Sequence, residues 1–223
     1  MVSEVFPILS LTILLPLLGA IATGVSHNVN LAKKIALSIA GLELIATLVV
    51  VWLFDAAKGN NFQLVEQYAW IPSLNIIGID GISILFLPMS ALLTLVAIIA
   101  SWNSVQNLTR FHFALLLALE GGTMGVFVAM DLMLFFLFWE LILPPIFFLI
   151  GLWGAGPQRR GAAMKYMLYM LFSGALLLFA FVMLAVNHAT QMGGSIPQSL
   201  SFSFPVLLNT TIPDNIQLIV FYY

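Results

Sequence analysis

Long apolar runs separated by short polar patches set the pattern of this chain. A membrane-spanning helix needs ~20 mostly apolar residues, and six stretches reach that length: 5–26, 33–54, 81–102, 110–130, 132–154 and 162–186. A seventh apolar run, 215–223, has only nine residues. At ~1.5 Å per residue it reaches about half of the hydrocarbon core. It reads as the incomplete start of a further span, and the sequence as part of a longer protein. Two connections are long. Residues 55–80 carry Trp70, Pro72 and Gly78 and alternate polar with apolar side chains over 62–65, which predicts a short hairpin or a surface-lying segment. Residues 187–214 are rich in Gly, Ser, Pro, Thr and Asn and predict loop. The amino end lacks a basic leader and a clear small-residue cleavage site, so it reads as a retained helix. The expected fold is all-α and integral to the membrane: a polytopic helix bundle forming a single transmembrane domain over 1–223.

Composition agrees with the pattern. The chain is 62% hydrophobic and 7% charged, where a soluble domain carries about 25% charged residues. So few charges cannot build a water-facing surface, and lipid is the expected surrounding. The net charge of −2 and the lack of a basic patch argue against nucleic acid as a partner, since no cluster neutralises phosphates. There is no cysteine, which removes disulfides, iron–sulfur clusters and thiolate zinc sites. The three histidines are scattered, so no metal or cofactor site is expected. In a redox machine the electrons would travel through other chains, and no soluble substrate is expected to bind here.

Charge sets the expected topology. With six spans, Lys33, Lys34, Arg110, Arg159, Arg160 and Lys165 fall on one side and only Lys58 on the other. That asymmetry makes the first side cytoplasmic and puts the amino terminus outside. Glu4, Asp55, Glu66, Asp80, Asp131 and Asp214 all fall on the outer side.

Three carboxylates remain, each near the middle of a predicted helix: Glu43, Glu120 and Glu140. Glu120 and Glu140 lie ~15 Å from a surface along their helices, close to the midplane. Their helices are joined by almost no loop, so the two acids sit at one depth on antiparallel neighbours and are placed to interact. A charge at the bilayer centre costs about 2.5–3.5 kcal/mol on insertion scales. Such groups therefore face the bundle or a wet cavity. Dehydration disfavours the ionised form of a carboxyl group, and an acid poised near working pH takes up and releases protons. The bland alternative is a protonated glutamate hydrogen-bonded to a neighbouring helix. Two acids at one depth favour proton transfer for Glu140 and Glu120, whereas nothing nearby in the sequence lifts Glu43 above a structural acid.

Neighbouring residues add detail. Pro144 and Pro145 follow Glu140, and the first clashes with the Glu140 carbonyl four residues back. A freed carbonyl beside an acid is a place for water, or simply a packing kink. Gly121 and Gly125 form a small-xxx-small step that fits close helix packing. Lys165, Tyr169 and Ser173 make a polar stripe on the sixth helix. That stripe is either the inner mouth of a proton path or a lysine snorkelling to the headgroups. His112 and His188 lie near helix ends and read as interfacial. The Phe-rich runs 135–138 and 147–148 read as packing.

The stretch from Asp131 through Phe138-Trp139-Glu140, Pro144-Pro145 and Leu149-Ile150-Gly151 to Trp153-Gly154 resembles the fifth helix of the antiporter-like membrane subunits of type I NAD(P)H:quinone oxidoreductases, the complex I family. It is most similar to their subunit 4. Gly78-Ile79-Asp80-Gly81-Ile82-Ser83 is similar to that family's entry to helix three, and Ala163-Met164-Lys165-Tyr166-Met167-Leu168-Tyr169 to its start of helix six. The resemblance covers nearly the whole chain, and residues 62–75 lean towards cyanobacterial versions. It implies a larger fold of fourteen helices with two inverted repeats, each half a proton channel, of which this chain would be the amino-terminal part. It implies that Glu140 is the proton-exchanging carboxylate of the first half channel, with lysine partners on helices beyond Tyr223. Glu120 occurs in some relatives. It further implies a translocase subunit coupling quinone reduction elsewhere to proton pumping, other membrane-arm subunits as partners, and a thylakoid or bacterial inner membrane. Two other readings stay open: an Mrp-type cation/proton antiporter subunit, and a structural membrane protein with buried neutral glutamates.

Overall fold

A computed structural model describes residues 7–58, 61–67, 76–193, 199–208 and 217. Six helical spans are long and apolar enough to cross a membrane. They are α1 (Ile8–Val25), α2 (Val29–Leu53), α3 (Ser83–Ser101), α4 (Thr109–Val128), the pair α5 (Leu132–Leu141) and α6 (Leu143–Trp153) forming one broken span, and α7 (Arg159–Gln191). Leu18, Ile21, Trp52, Leu85 and Phe172 point outward, an apolar exterior suited to acyl chains rather than water. The expected run at 215–223 lies outside the described residues except for Gln217.

One feature meets the sequence expectation within an otherwise helical fold, and two differ from it. The molecule is not wholly helical: β1 (Gln63–Gln67) and β2 (Ile76–Ile79) form an antiparallel hairpin, one of the two forms expected for this segment. Trp70 and Pro72 lie outside the described residues. The last span runs to Gln191 instead of ending at 186. Asn187, His188 and Ala189 are buried there, and Thr190 Oγ1 donates to Asn187 O at 2.8 Å. Packing thus overrides the loop composition of this stretch, and His188 is buried rather than interfacial. The stretch assigned to loop also holds a short helix, α8 (Phe204–Leu207).

Helix α4 is the hub, packing on α1, α2, α3, α5 and α6. Around it the apolar core divides in two along the depth of the bundle. One cluster includes Leu9, Val50, Leu87, Met124 and Val128, and the other Ala20, Ala36, Ile98, Phe113 and Leu117.

The two ends are held by opposite chemistry. At the basic end, Lys33 Nζ donates to Trp102 O, Arg110 Nη1 donates to Ser26 O at 2.6 Å, and Trp153 Nε1 donates to Asn107 O at 3.2 Å. The lysine and the arginine sit at the carbonyls where α3 and α1 finish, the favourable position for a cation relative to the helix dipole. At the acidic end, carboxylates sit where helices begin. Glu66 of the hairpin accepts from Leu9 N at 2.7 Å, Ser10 N at 3.1 Å and Ser10 Oγ at 2.5 Å, so it caps α1 from a distant strand. Asp80 accepts from Ser83 N at 2.7 Å and Ile82 N at 3.1 Å at the start of α3. Asp131 accepts from Met133 N and Leu134 N at 2.9 and 3.1 Å at the start of α5.

Replacing Glu66 by alanine should cost about 1–2 kcal/mol, the scale of a lost helix cap. The check is the unfolding midpoint in detergent together with faster amide exchange at Leu9 and Ser10.

The segment between α4 and α5 is extended and paired on both sides. Ile77 bridges Ala129, and Ser203 bridges Asp131. Leu132 N donates to Phe202 O and Phe204 N to Met130 O, both at 2.9 Å. Gly78 is required here, because a Cβ would overlap Met130 Sδ.

Candidate functional site: buried carboxylates around α4 and α5

Glycines on α4 let its neighbours approach closely. A Cβ at Gly121 would lie 2.6 Å from Leu17 Cγ of α1, and one at Gly122 would lie 2.5 Å from Ile142 Cγ2. A Cβ at Gly125 would overlap the Phe138 ring of α5. Gly121 and Gly125 therefore do not serve one interface, as their spacing suggests. The first admits α1, and Gly122 and Gly125 together admit the broken fifth span.

Glu120 sits in this tightly packed part of α4 with 1% exposure, and Glu43 of α2 is fully buried. None of their four carboxyl oxygens has a hydrogen-bond partner among the described residues. Helix α1 relates their positions. Gly121 packs on Leu17 and Ile13 of α1, and Gly19 of α1 packs on Ile39 of α2. Glu120 and Glu43 therefore both stand opposite the middle of α1, at one depth, between the two halves of the core. Sequence reasoning left Glu43 aside because no ionisable residue is near it along the chain. Its partner arrives from another helix.

Glu140 is half-buried in the last turn of α5. The span breaks at Ile142, and α6 begins with Leu143, Pro144 and Pro145. Two prolines in succession remove the donors that the carbonyls of Glu140 and Leu141 would receive in an unbroken helix. The Glu140 side chain lies against α7: a Cβ on Gly174 would overlap its Oε1 and come within 3.3 Å of its Cδ. Beside it, Trp139 Nε1 is buried without a partner among the described residues. Glu140 thus has a helix break behind it and a backbone notch in front of it. Gly174 was not singled out from sequence, because one small residue in an apolar helix carries no signal.

The expected meeting of Glu120 with Glu140 does not occur. Glu120 lies on the α4 stripe of Phe113, Leu117 and Met124 that packs on α2, and Glu140 lies against Gly174 of α7. Lys165 is exposed on α7, as are Tyr169 and Ser173. The polar stripe is real, but it faces away from Glu140's notch. His112 is buried, its ring 4.7 Å from that of Trp153, and its Nδ1 has no partner among the described residues. No group of three metal-ligating side chains occurs among the described residues.

At the acidic end a cavity of about 470 Å³ opens beside the hairpin, walled by Phe86, Phe127, Phe135 and Phe181, with Asp80 and Asp131 at its edge. Both aspartates are occupied in capping, and their titrations oppose each other. For Asp80, burial pushes the pKa up, but the hydrogen bonds from Ser83 and Ile82 outweigh it and hold the carboxyl below the usual range. For Asp131, burial wins over the hydrogen bonds from Leu134 and Met133 and pushes the carboxyl up. A depressed folded-state pKa gives stability present above the unfolded value of about 3.9 and lost as pH falls through the folded value. A raised one acts oppositely, so protonating Asp131 favours the folded state. Acidification should therefore loosen the amides of Ile82 and Ser83 at the start of α3, read by amide exchange across pH.

Residues 129–210 match the family described as "NADH:quinone oxidoreductase/Mrp antiporter, TM". NAD(P)H-quinone oxidoreductase chain 4 of a Synechococcus species is 40% identical over 74% of this chain and 31% of its own length. NADH-quinone oxidoreductase subunit M of Rickettsia prowazekii is 34% identical over 79% of this chain and 37% of its own. The chain thus spans about a third of the length of these relatives. Among solved structures, a chain of respiratory complex I from Thermus thermophilus shares the fold with a TM-score of 0.77 at 22% identity, over 96% of this chain and 42% of that one. A chain of the Mrp complex from Dietzia aligns with a TM-score of 0.70 at 25% identity, over 82% of this chain and 34% of that one. With its spans, its broken fifth helix and this match in hand, the chain belongs to the antiporter-like membrane subunits of the NADH:quinone oxidoreductase and Mrp family, alongside chain 4 and subunit M.

Proposed function

We propose that this chain moves protons as part of an antiporter-like subunit in a membrane-bound NAD(P)H:quinone oxidoreductase, with Glu140 holding the exchangeable proton. The observation that carries the reading is the place of Glu140: at the helix break set by Pro144 and Pro145, its carboxyl against the Gly174 notch of α7. An acid in such a spot has polar company and room to change partners, which a proton relay needs and a lipid-facing or fully clamped acid lacks. The names of the relatives supply the setting. Quinone reduction would occur in other subunits, since this chain has no cysteine and no ligand cluster among the described residues. Its neighbours would be other membrane-arm subunits and lipid. Lys165, exposed on α7 at the basic end, would join the path only through a further helix packed on that face. The basic end lies in the cytoplasm by the charge rule, with the amino terminus in the lumen or periplasm. The cyanobacterial relatives favour a thylakoid membrane.

Glu140→Gln in the intact complex should leave assembly and electron transfer from the donor in place but cut proton pumping per electron. Unchanged pumping would remove Glu140 from the role. The Mrp match favours a second reading, cation/proton antiport. Sodium-dependent proton exchange in a preparation with no quinone reductase activity would select it.

A further inference from the structure

Seven buried side-chain atoms lack a hydrogen-bond partner among the described residues, and six of them lie on three helices. They are both oxygens of Glu43 on α2, both oxygens of Glu120 and the Nδ1 of His112 on α4, and the Oγ1 of Thr23 on α1. Buried polar atoms are nearly always paired, and leaving one unpaired costs ~1–3 kcal/mol. Four of them belong to two acids at mid-depth, which marks a place built for something other than packing.

Their order along the bundle is informative. Thr23 belongs to the buried face of α1 that includes Pro16, Gly19 and Ala20. Its neighbour Gly24 packs on Ala114 of α4 at 3.7 Å from a built Cβ. Ala114 stands ~9 Å along α4 from Glu120, and His112 ~12 Å. From the midplane to the basic end the sequence is therefore Glu43 with Glu120, then Thr23, then His112. Across α1 to α4 the only ionisable side chains are Lys33, Lys34, Glu43, Arg110, His112 and Glu120. Helices α1 and α3 present none, and the lysines and arginine sit at the basic end. Nothing of positive charge is built in to neutralise the two acids at mid-depth. Two carboxyl groups buried at one depth in a low-dielectric site do not both ionise, so the pair retains a proton.

We propose that Glu43 and Glu120 form a second proton-holding site, a carboxyl pair at mid-membrane that exchanges with the basic end through Thr23 and His112. The chemistry is proton transfer alone. An O–H bond at one glutamate breaks, its proton passes to an acceptor on the basic-end side, and the remaining carboxylate is stabilised by the proton still on its neighbour. When the proton returns, the O–H bond re-forms. Glu43, Glu120 and Thr23 lie on the α1–α2–α4 side of the hub and His112 at the basic end beside Trp153 of α6, whereas Glu140 faces α7, so each site can fail without the other.

Infrared spectroscopy of the lipid-reconstituted complex containing the full subunit tests it, reading the carbonyl stretch of protonated carboxyl groups across pH and after transfer to D2O. A shared proton predicts that Glu43→Gln shifts the Glu120 band in frequency and midpoint, that Glu120→Gln does the same to Glu43, and that Glu140→Gln leaves both in place. Thr23→Val and His112→Leu should slow hydrogen–deuterium exchange of the pair by about a hundredfold, the lower range for a lost proton-transfer group. Where Glu43→Gln fails to assemble, Glu43→Asp keeps the acid and shortens its reach, and the Glu120 band must still move. Two bands that titrate independently, each unchanged by loss of the other acid, would overturn the pair. Exchange unaffected by both path variants would overturn the route.

Discussion

Gly174→Ala should stop proton pumping as completely as Glu140→Gln and destabilise the subunit as well. The added methyl would stand where Glu140 Oε1 now lies and 3.3 Å from Cδ. The carboxyl must then leave its notch, or α7 must move away from α5. Leaving the notch displaces the carboxyl proposed to carry the proton from its geometry, and ångström-scale misplacement of a reacting group costs orders of magnitude in rate. Moving α7 opens the packing along α5 and α6, for which overfilling penalties run about 1–3 kcal/mol. The check is proton pumping per electron together with the thermal midpoint of the assembled complex. The decisive control is Gly174→Ala with Glu140→Asp, which shortens the acid by one methylene. Recovery of stability in the double variant places the clash at these two groups. A fully active Gly174→Ala complex would show that the notch plays no part.

The second large effect is expected at Gly125. A methyl there would overlap several atoms of the Phe138 ring, and Phe138 is two residues before Glu140 on the same short helix. The ring is held between α4 and its own helix and has little room to swing away, so the variant should lose about 2–3 kcal/mol. Assembly of the subunit should fall accordingly, measured as its content in purified complex. Phe138→Leu should relieve part of that loss. The two substitutions are in contact and should therefore be non-additive, the double variant being more stable than the sum of the single changes predicts.

Particular residues show how far the sequence reaches. Glu140 is readable because an acid in a long apolar run is costly and because two prolines follow it; both signals lie within a few residues. The six spans are readable because lipid imposes length and composition on each one separately. The hairpin shows in the alternation at 62–65. What escapes is everything decided between helices. Glu43 looks isolated in a list of residues, yet the fold brings α2 beside α4 at one depth. Gly174 looks like any small residue until the glutamate it accommodates is placed, from a helix that precedes it. Gly121 and Gly125 have the right spacing for one interface but turn to two. The polar residues 187–191 read as loop, and burial of Asn187 and His188 keeps them helical.

The short extended stretch from Ala129 to Asp131 is flanked by Ile77 on one edge and Ser203 on the other. The first of these neighbours is synthesised well before it, the second only after the longest helix has been made. During insertion the mouth between α4 and α5 therefore stays half-zipped until that helix has crossed. A ribosome stalled earlier would leave the start of α5 unlatched, with Met130 O and the amide of Leu132 lacking their later partners. At this place the acidic face of the bundle is thus closed by chain that follows the spans it seals.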